Sequence, residues 1–197
     1  MKSNIVGIAI FSVCFFWLAP SADAGFTSIY ISPTAGSNIP EPYYEADAEA
    51  GTLDVQETWT VEHGTEYGFE VWGETTADPP LHIVKEVFNG TSMTWIGYKL
   101  DLDPGDPHTF ELVSPAPFSD VFTLVSSGPY SLEFGLPSPL APGETVTLDF
   151  VVNVDAVGGF SFTLTQMPIV IPEPSAFALA LLGIGAATYR RRTRMRL

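Results

Sequence analysis

Between Gly25 and Val170 apolar and polar residues alternate with a period of two. In Thr145 to Val154 the side chains of Val146, Leu148, Phe150, Val152 and Val154 fall on one face and mostly polar residues on the other, as expected of a strand that buries one side. Phe160 to Thr165 repeats the alternation, and similar runs span Phe26 to Ile31, Leu53 to Val61, Tyr67 to Glu74, Leu81 to Phe88, Met93 to Leu102, His108 to Val113, Val121 to Val125 and Tyr130 to Phe134. Asn89-Gly90 between two of these runs predicts a type I′ hairpin turn. Pro104-Gly105, Gly128-Pro129 and Pro142-Gly143 mark further reversals. Residues Ile31 to Gly51 carry three prolines and an acidic run at Glu45 to Glu49, and read as an edge loop. No helical period appears in this region, so the expected fold is all-β: an antiparallel β-sandwich, Ig-like or jelly-roll, of about eight to ten short strands.

The two ends follow different rules. Lys2, the apolar stretch Ile5 to Leu18 and Ala22-Asp23-Ala24 have the order of a secretory signal peptide over residues 1–24, with cleavage between Ala24 and Gly25. At the other end Pro172 and Pro174 lack backbone donors and favour an extended, accessible Pro172-Glu173-Pro174 segment. Ser175 can cap a helix that continues without charge to Tyr189. These 15 residues would make roughly 22 Å of helix against a hydrocarbon core of about 30 Å. Tyr189 suits the interface, and Arg190, Arg191, Arg192, Arg194 and Arg196 can snorkel, so a short transmembrane helix over 175–189 with a cytoplasmic tail over 190–197 is expected.

Pro172-Glu173-Pro174, a short hydrophobic helix and a terminal arginine cluster, in that order, resemble the PEP-CTERM sorting signal of Gram-negative bacteria. The resemblance is confined to residues 171–196 and implies recognition by an exosortase, a membrane-embedded transpeptidase-like enzyme that would cut near Pro172-Glu173-Pro174. It further implies that the chain sits in the inner membrane during sorting and then passes to the cell surface or the medium. Leu81 to Gly90 with Trp95-Ile96-Gly97-Tyr98, and Ala141-Pro142-Gly143-Glu144, are also similar to segments of secreted β-rich proteins that bear this signal.

Removing both ends leaves residues 25–170, one domain's worth of chain, able to bury about two thirds of its unfolded surface. This region holds 21 acidic residues against Lys85 and Lys99, a net charge of −19. Such acidity disfavours nucleic acid and anionic membranes as partners. The single cysteine, Cys14, falls inside the signal segment, so the mature domain has neither a disulfide nor a thiol nucleophile.

Few residues suggest chemistry. His63, His82 and His108 lie on separate predicted elements without metal-ligand spacing, and no serine occupies a G-x-S-x-G turn. Asp101, Asp103 and Asp106 surround Pro104-Gly105 and form the most site-like local cluster, with the donor type for Ca²⁺; turn formation accounts for the same residues. Trp59, Trp72 and Trp95, with Tyr43, Tyr44, Tyr67, Tyr98 and Tyr130, supply either sandwich core or a surface for stacking on sugar rings. The sequence thus describes an exported, non-enzymatic structural or interaction protein of the cell surface or extracellular matrix, without a cofactor. The alternative is a carbohydrate-binding module, calcium-assisted, with extracellular polysaccharide as its partner.

Overall fold

A computed structural model describes residues 25–34, 42–61 and 66–171. The expected signal peptide and transmembrane helix lie outside these residues. Among those described there is no helix, and hence none long and apolar enough to cross a membrane.

Among the described residues twelve strands build two sheets: β1 (Phe26–Pro33), β2 (Tyr43–Asp47), β3 (Thr52–Trp59), β4 (Tyr67–Thr75), β5 (Pro80–Asn89), β6 (Trp95–Leu102), β7 (Thr109–Phe110), β8 (Phe118–Ser119), β9 (Thr123–Gly128), β10 (Ser131–Leu140), β11 (Thr145–Asn153) and β12 (Gly158–Val170). One sheet has the order β1-β4-β12-β6-β10-β9; the other runs β2-β3-β5-β11-β7, with β8 also pairing β11. The alternation in β11 places Val146, Leu148, Phe150 and Val152 in the core, and Val154 just after the strand is buried with them, as the pattern predicts. The two inner faces meet in one hydrophobic cluster to which both sheets contribute. At one end of it Trp59 of β3 makes edge contacts with Tyr67, Trp95 and Tyr98 of the opposite sheet, at centroid separations of 6.0, 6.3 and 6.2 Å. Edge-on aromatic pairs of this kind contribute about 0.5–1.5 kcal/mol each beyond their buried area.

Three sequence expectations need correction. First, Asn89-Gly90 is not a hairpin turn. β5 and β6 belong to different sheets, so the chain crosses the sandwich here, and Gly90 is not among the glycines with positive φ that a type I′ turn requires. Asn89 is instead buried: its side-chain amide donates to the carbonyls of Met93 and Leu140, and its Oδ1 accepts from the backbone N–H and hydroxyl of Thr91. Second, the proposed edge loop contains β2, paired antiparallel with β3. Pro33 closes β1 and Pro42 immediately precedes β2, so neither interrupts the strand. Third, the sandwich is not purely antiparallel, because β3 and β5 run parallel with Val55 opposite Lys85.

Pro142-Gly143 does act as a turn, between β10 of one sheet and β11 of the other. Gly143 has φ of 85° and the Glu144 N–H donates to the Ala141 carbonyl. With proline at the second position and a left-handed glycine at the third, this matches the chemistry of a type II turn.

Candidate functional site

The sorting residues Pro172, Glu173, Pro174, Arg190, Arg191 and Arg192, and the cleavage residues Ala22 and Ala24, lie outside the described residues. What the structure places is where each end leaves the domain. Gly25 is held to the end of β4: its carbonyl accepts from the N–H of Thr76, and its own N–H donates to the Thr76 hydroxyl at 3.2 Å. At the other end β12, a central strand between β4 and β6, runs to Val170, and the Ile171 N–H donates to the Thr94 carbonyl.

The acidic turn does not gather its carboxylates. Asp101 is in β6 and pairs with Lys99 at 2.7 Å. Asp103 turns inward on its own loop, accepting the Gly105 N–H on Oδ1 at 2.8 Å, while its carbonyl accepts from the Asp106 N–H. Such side-chain and backbone bonding is how aspartate initiates a turn. Among the described residues no three His, Cys, Asp or Glu side chains come together as a metal site, and Asp101, Asp103 and Asp106 are included in that statement. His63 lies outside the described residues. His82 of β5 meets Asp149 of β11 at 2.6 Å on a half-exposed face. His108 is buried against Phe160 and Phe162, and burial holds its imidazole below the ordinary histidine range, opposed by Asp106, the Ser161 carbonyl and Asp155.

The aromatic residues divide. Trp59, Trp95, Tyr67 and Tyr98 are core. Trp72 of β4 and Tyr30 of β1 face outward as directly opposed register partners, each 43% exposed, with ring centroids 4.3 Å apart and planes at 26°. They form one wall of an open cleft lined also by Thr27, Ser28, Gly73, Glu74 and Gly159. Tyr43, 60% exposed, belongs to the other sheet and cannot extend this surface. Of the aromatic residues that could serve either as core or as a stacking surface, Trp72 and Tyr30 form an exposed stacked pair among the described residues.

Sequence reading missed a polar cluster buried between the sheets. Glu57 of β3 and Lys85 of β5 point inward from adjacent parallel strands, with Lys85 Nζ 2.5 Å from Glu57 Oε1 and both side chains wholly buried. From the opposite sheet, Tyr98 of β6 places its hydroxyl 3.1 Å from Glu57 Oε1 and 2.8 Å from Gln166 Oε1, and Gln166 Nε2 of β12 donates to Glu57 Oε2 at 2.8 Å. The Phe69 ring centroid is 5.3 Å from Lys85 Nζ. Burial pushes the Lys85 amine below the usual lysine range, with Glu57 opposing the shift. Burial first, and then Glu57, push the Tyr98 phenol well above its ordinary value. A signal for this cluster was present: Lys85 shares the inward parity of Leu81, Ile83 and Val87, and Glu57 that of Leu53, Val55 and Trp59.

Comparison with known proteins bears on the tail. Residues 170–194 match the PEP-CTERM protein-sorting motif, and the match begins at the residue where β12 ends. The chain therefore carries an exosortase recognition signal, which marks a protein for export and sorting to the cell envelope or beyond. The chain shows 31% identity over 102 aligned residues to Laccase-15 of Oryza sativa subsp. japonica, covering 45% of this chain and 16% of that protein. The chain thus spans about one sixth of the relative it matches. No solved structure matches the chain.

Proposed function

We propose that residues 25–170 form the displayed part of an exported protein, a non-catalytic structural or interaction domain of the cell surface or extracellular matrix, delivered by the C-terminal signal. The observation that carries this reading is the junction at Val170, where the last strand ends and the sorting motif begins. There is no intervening linker, so the domain would be presented close to the membrane until the tail is processed. The net charge of −19 over residues 25–170 supports the same reading, since a strongly like-charged surface stays soluble and resists self-association outside the cell. The similarity to Laccase-15 covers too little of that protein to bring an activity to this chain.

Replacing Pro172, Glu173 and Pro174 together by alanine should leave full-length protein in the inner membrane, recovered with its arginine tail. Unchanged release of a shortened species would refute the role of the motif.

A second reading, carbohydrate binding, is favoured by the Tyr30 and Trp72 pair, which offers one apolar ring surface beside the hydrogen-bonding groups of Glu74, Thr27 and Ser28. Sugar rings stack on such surfaces while their hydroxyls pair with nearby polar groups. Titration of the protein with extracellular polysaccharide, followed by tryptophan fluorescence, should give a saturable change that Trp72→Ala abolishes. A change that persists in the variant would place binding elsewhere.

A further inference from the structure

Lys85 and Glu57 combine features that an ordinary ion pair does not need. Both side chains are wholly buried, the amine nitrogen is 2.5 Å from a carboxylate oxygen, and yet Nζ forms no hydrogen bond of acceptable geometry. Nζ has the short distance of a contact without the alignment of a donor. Holding two full charges here carries a desolvation cost of several kcal/mol per ion, which only excellent pairing geometry offsets. We propose that Lys85 Nζ and Glu57 Cδ condense to an intramolecular amide, an autocatalytic cross-link that joins β3 to β5 inside the core.

The reaction requires no oxidant or cofactor. One proton passes from the ammonium, which burial disfavours, to Oε1, leaving a neutral amine and a neutral acid. The amine attacks Cδ, forming the new C–N bond. A second proton passes from nitrogen to Oε1, the Cδ–Oε1 bond breaks, and one water leaves. Oε2 remains as the amide oxygen. Gln166 Nε2, 2.8 Å from Oε2, is placed to stabilise the negative charge that builds there, as a preorganised donor does in acyl transfer. The Tyr98 hydroxyl, 3.1 Å from Oε1, is placed to relay the proton to the departing oxygen. Phe69 and the surrounding core keep bulk water from the site, so that once the product water has left, the amide is shielded from hydrolysis by solvent.

Mass and digestion of the wild-type protein decide the matter without any variant. Denatured, intact protein should weigh one water less than the linear chain of the same sequence. Lys85 and Lys99 are the only sites for trypsin between Gly25 and Val170. Condensed Lys85 should resist cleavage, so Gly25 to Lys99 should appear as one peptide short by one water. Glu57→Gln should lose ammonia or nothing, Lys85→Met should show no loss, and Tyr98→Phe should slow the loss in freshly folded protein. A wild-type mass equal to the sequence, with complete cleavage after Lys85, would overturn the cross-link and leave a buried ion pair.

Discussion

Asn89 and Gly143 are joined by a 2.8 Å hydrogen bond from the Gly143 N–H to the Asn89 carbonyl, at the point where two sheet-crossing connections meet. The Asn89 N–H in turn donates to the Glu144 carbonyl, and its side chain ties the 91–93 segment to the end of β10. Asn89 therefore holds the β5 to β6 crossing against the β10 to β11 crossing. Replacing it with alanine would leave several buried polar groups without partners, at about 1–3 kcal/mol for each one that water cannot reach. Asn89→Ala should lower unfolding stability by about 3 kcal/mol in urea denaturation, and a loss below about 1 kcal/mol would refute the latch.

The glycines at Gly143 and Gly73 should respond differently to alanine. At Gly143 an added Cβ meets nothing within 4 Å, so the cost comes from the positive φ alone and should be about 1–2 kcal/mol. At Gly73 the same Cβ would lie 2.0 Å from the Ser28 carbonyl oxygen, so β1 must move off β4. Gly73→Ala should cost at least about 3 kcal/mol, with the loss seen first as faster amide exchange in β1.

His108 should give the fold a dependence on mildly acidic pH. Burial lowers its folded pKa below the unfolded value of about 6.5, so the unfolded chain binds the proton more readily. The stabilisation is fully present above the unfolded pKa and is lost as pH falls through the folded one. Asp106 and Asp155 face the ring and reduce the effect without reversing it. Urea midpoints measured from pH 8 down to pH 5 should fall on the acid side, and His108→Leu should flatten that fall. An identical profile in the variant would mean another group carries it.

Trp72 should be separable from stability. It is 43% exposed and stacks on Tyr30, so Trp72→Ala should cost no more than about 1.5 kcal/mol. Trp59→Ala, which empties the aromatic cluster between the sheets, should cost about 3–5 kcal/mol. Comparable losses from the two substitutions would contradict the division into core and surface rings.

Much of the fold was legible because strands with one buried face alternate, as Val146 to Phe150 does; Val151, buried on the opposite parity, is the exception in β11. Sheet membership was not. Asn89-Gly90 has the composition of a hairpin turn, but composition does not reveal whether the flanking strands pair with each other or cross to opposite sheets, and here Asn89 acts as a buried tie. β2 was hidden because its burial pattern is almost wholly exposed, leaving no alternation to detect. The Glu57 and Lys85 cluster was overlooked because charged residues were counted as surface, although strand parity placed both inside. The sorting motif over residues 170–194, by contrast, was legible in sequence, since its information lies in linear order and not in tertiary contacts.

The claim that the domain is cargo for the C-terminal signal is tested most directly by intact mass and fractionation of the protein from a host that carries an exosortase. The account predicts an extracellular or surface species that begins at Gly25 and ends near Pro172 to Ser175. A species that retains Arg190 to Leu197 and stays in the inner membrane would contradict it.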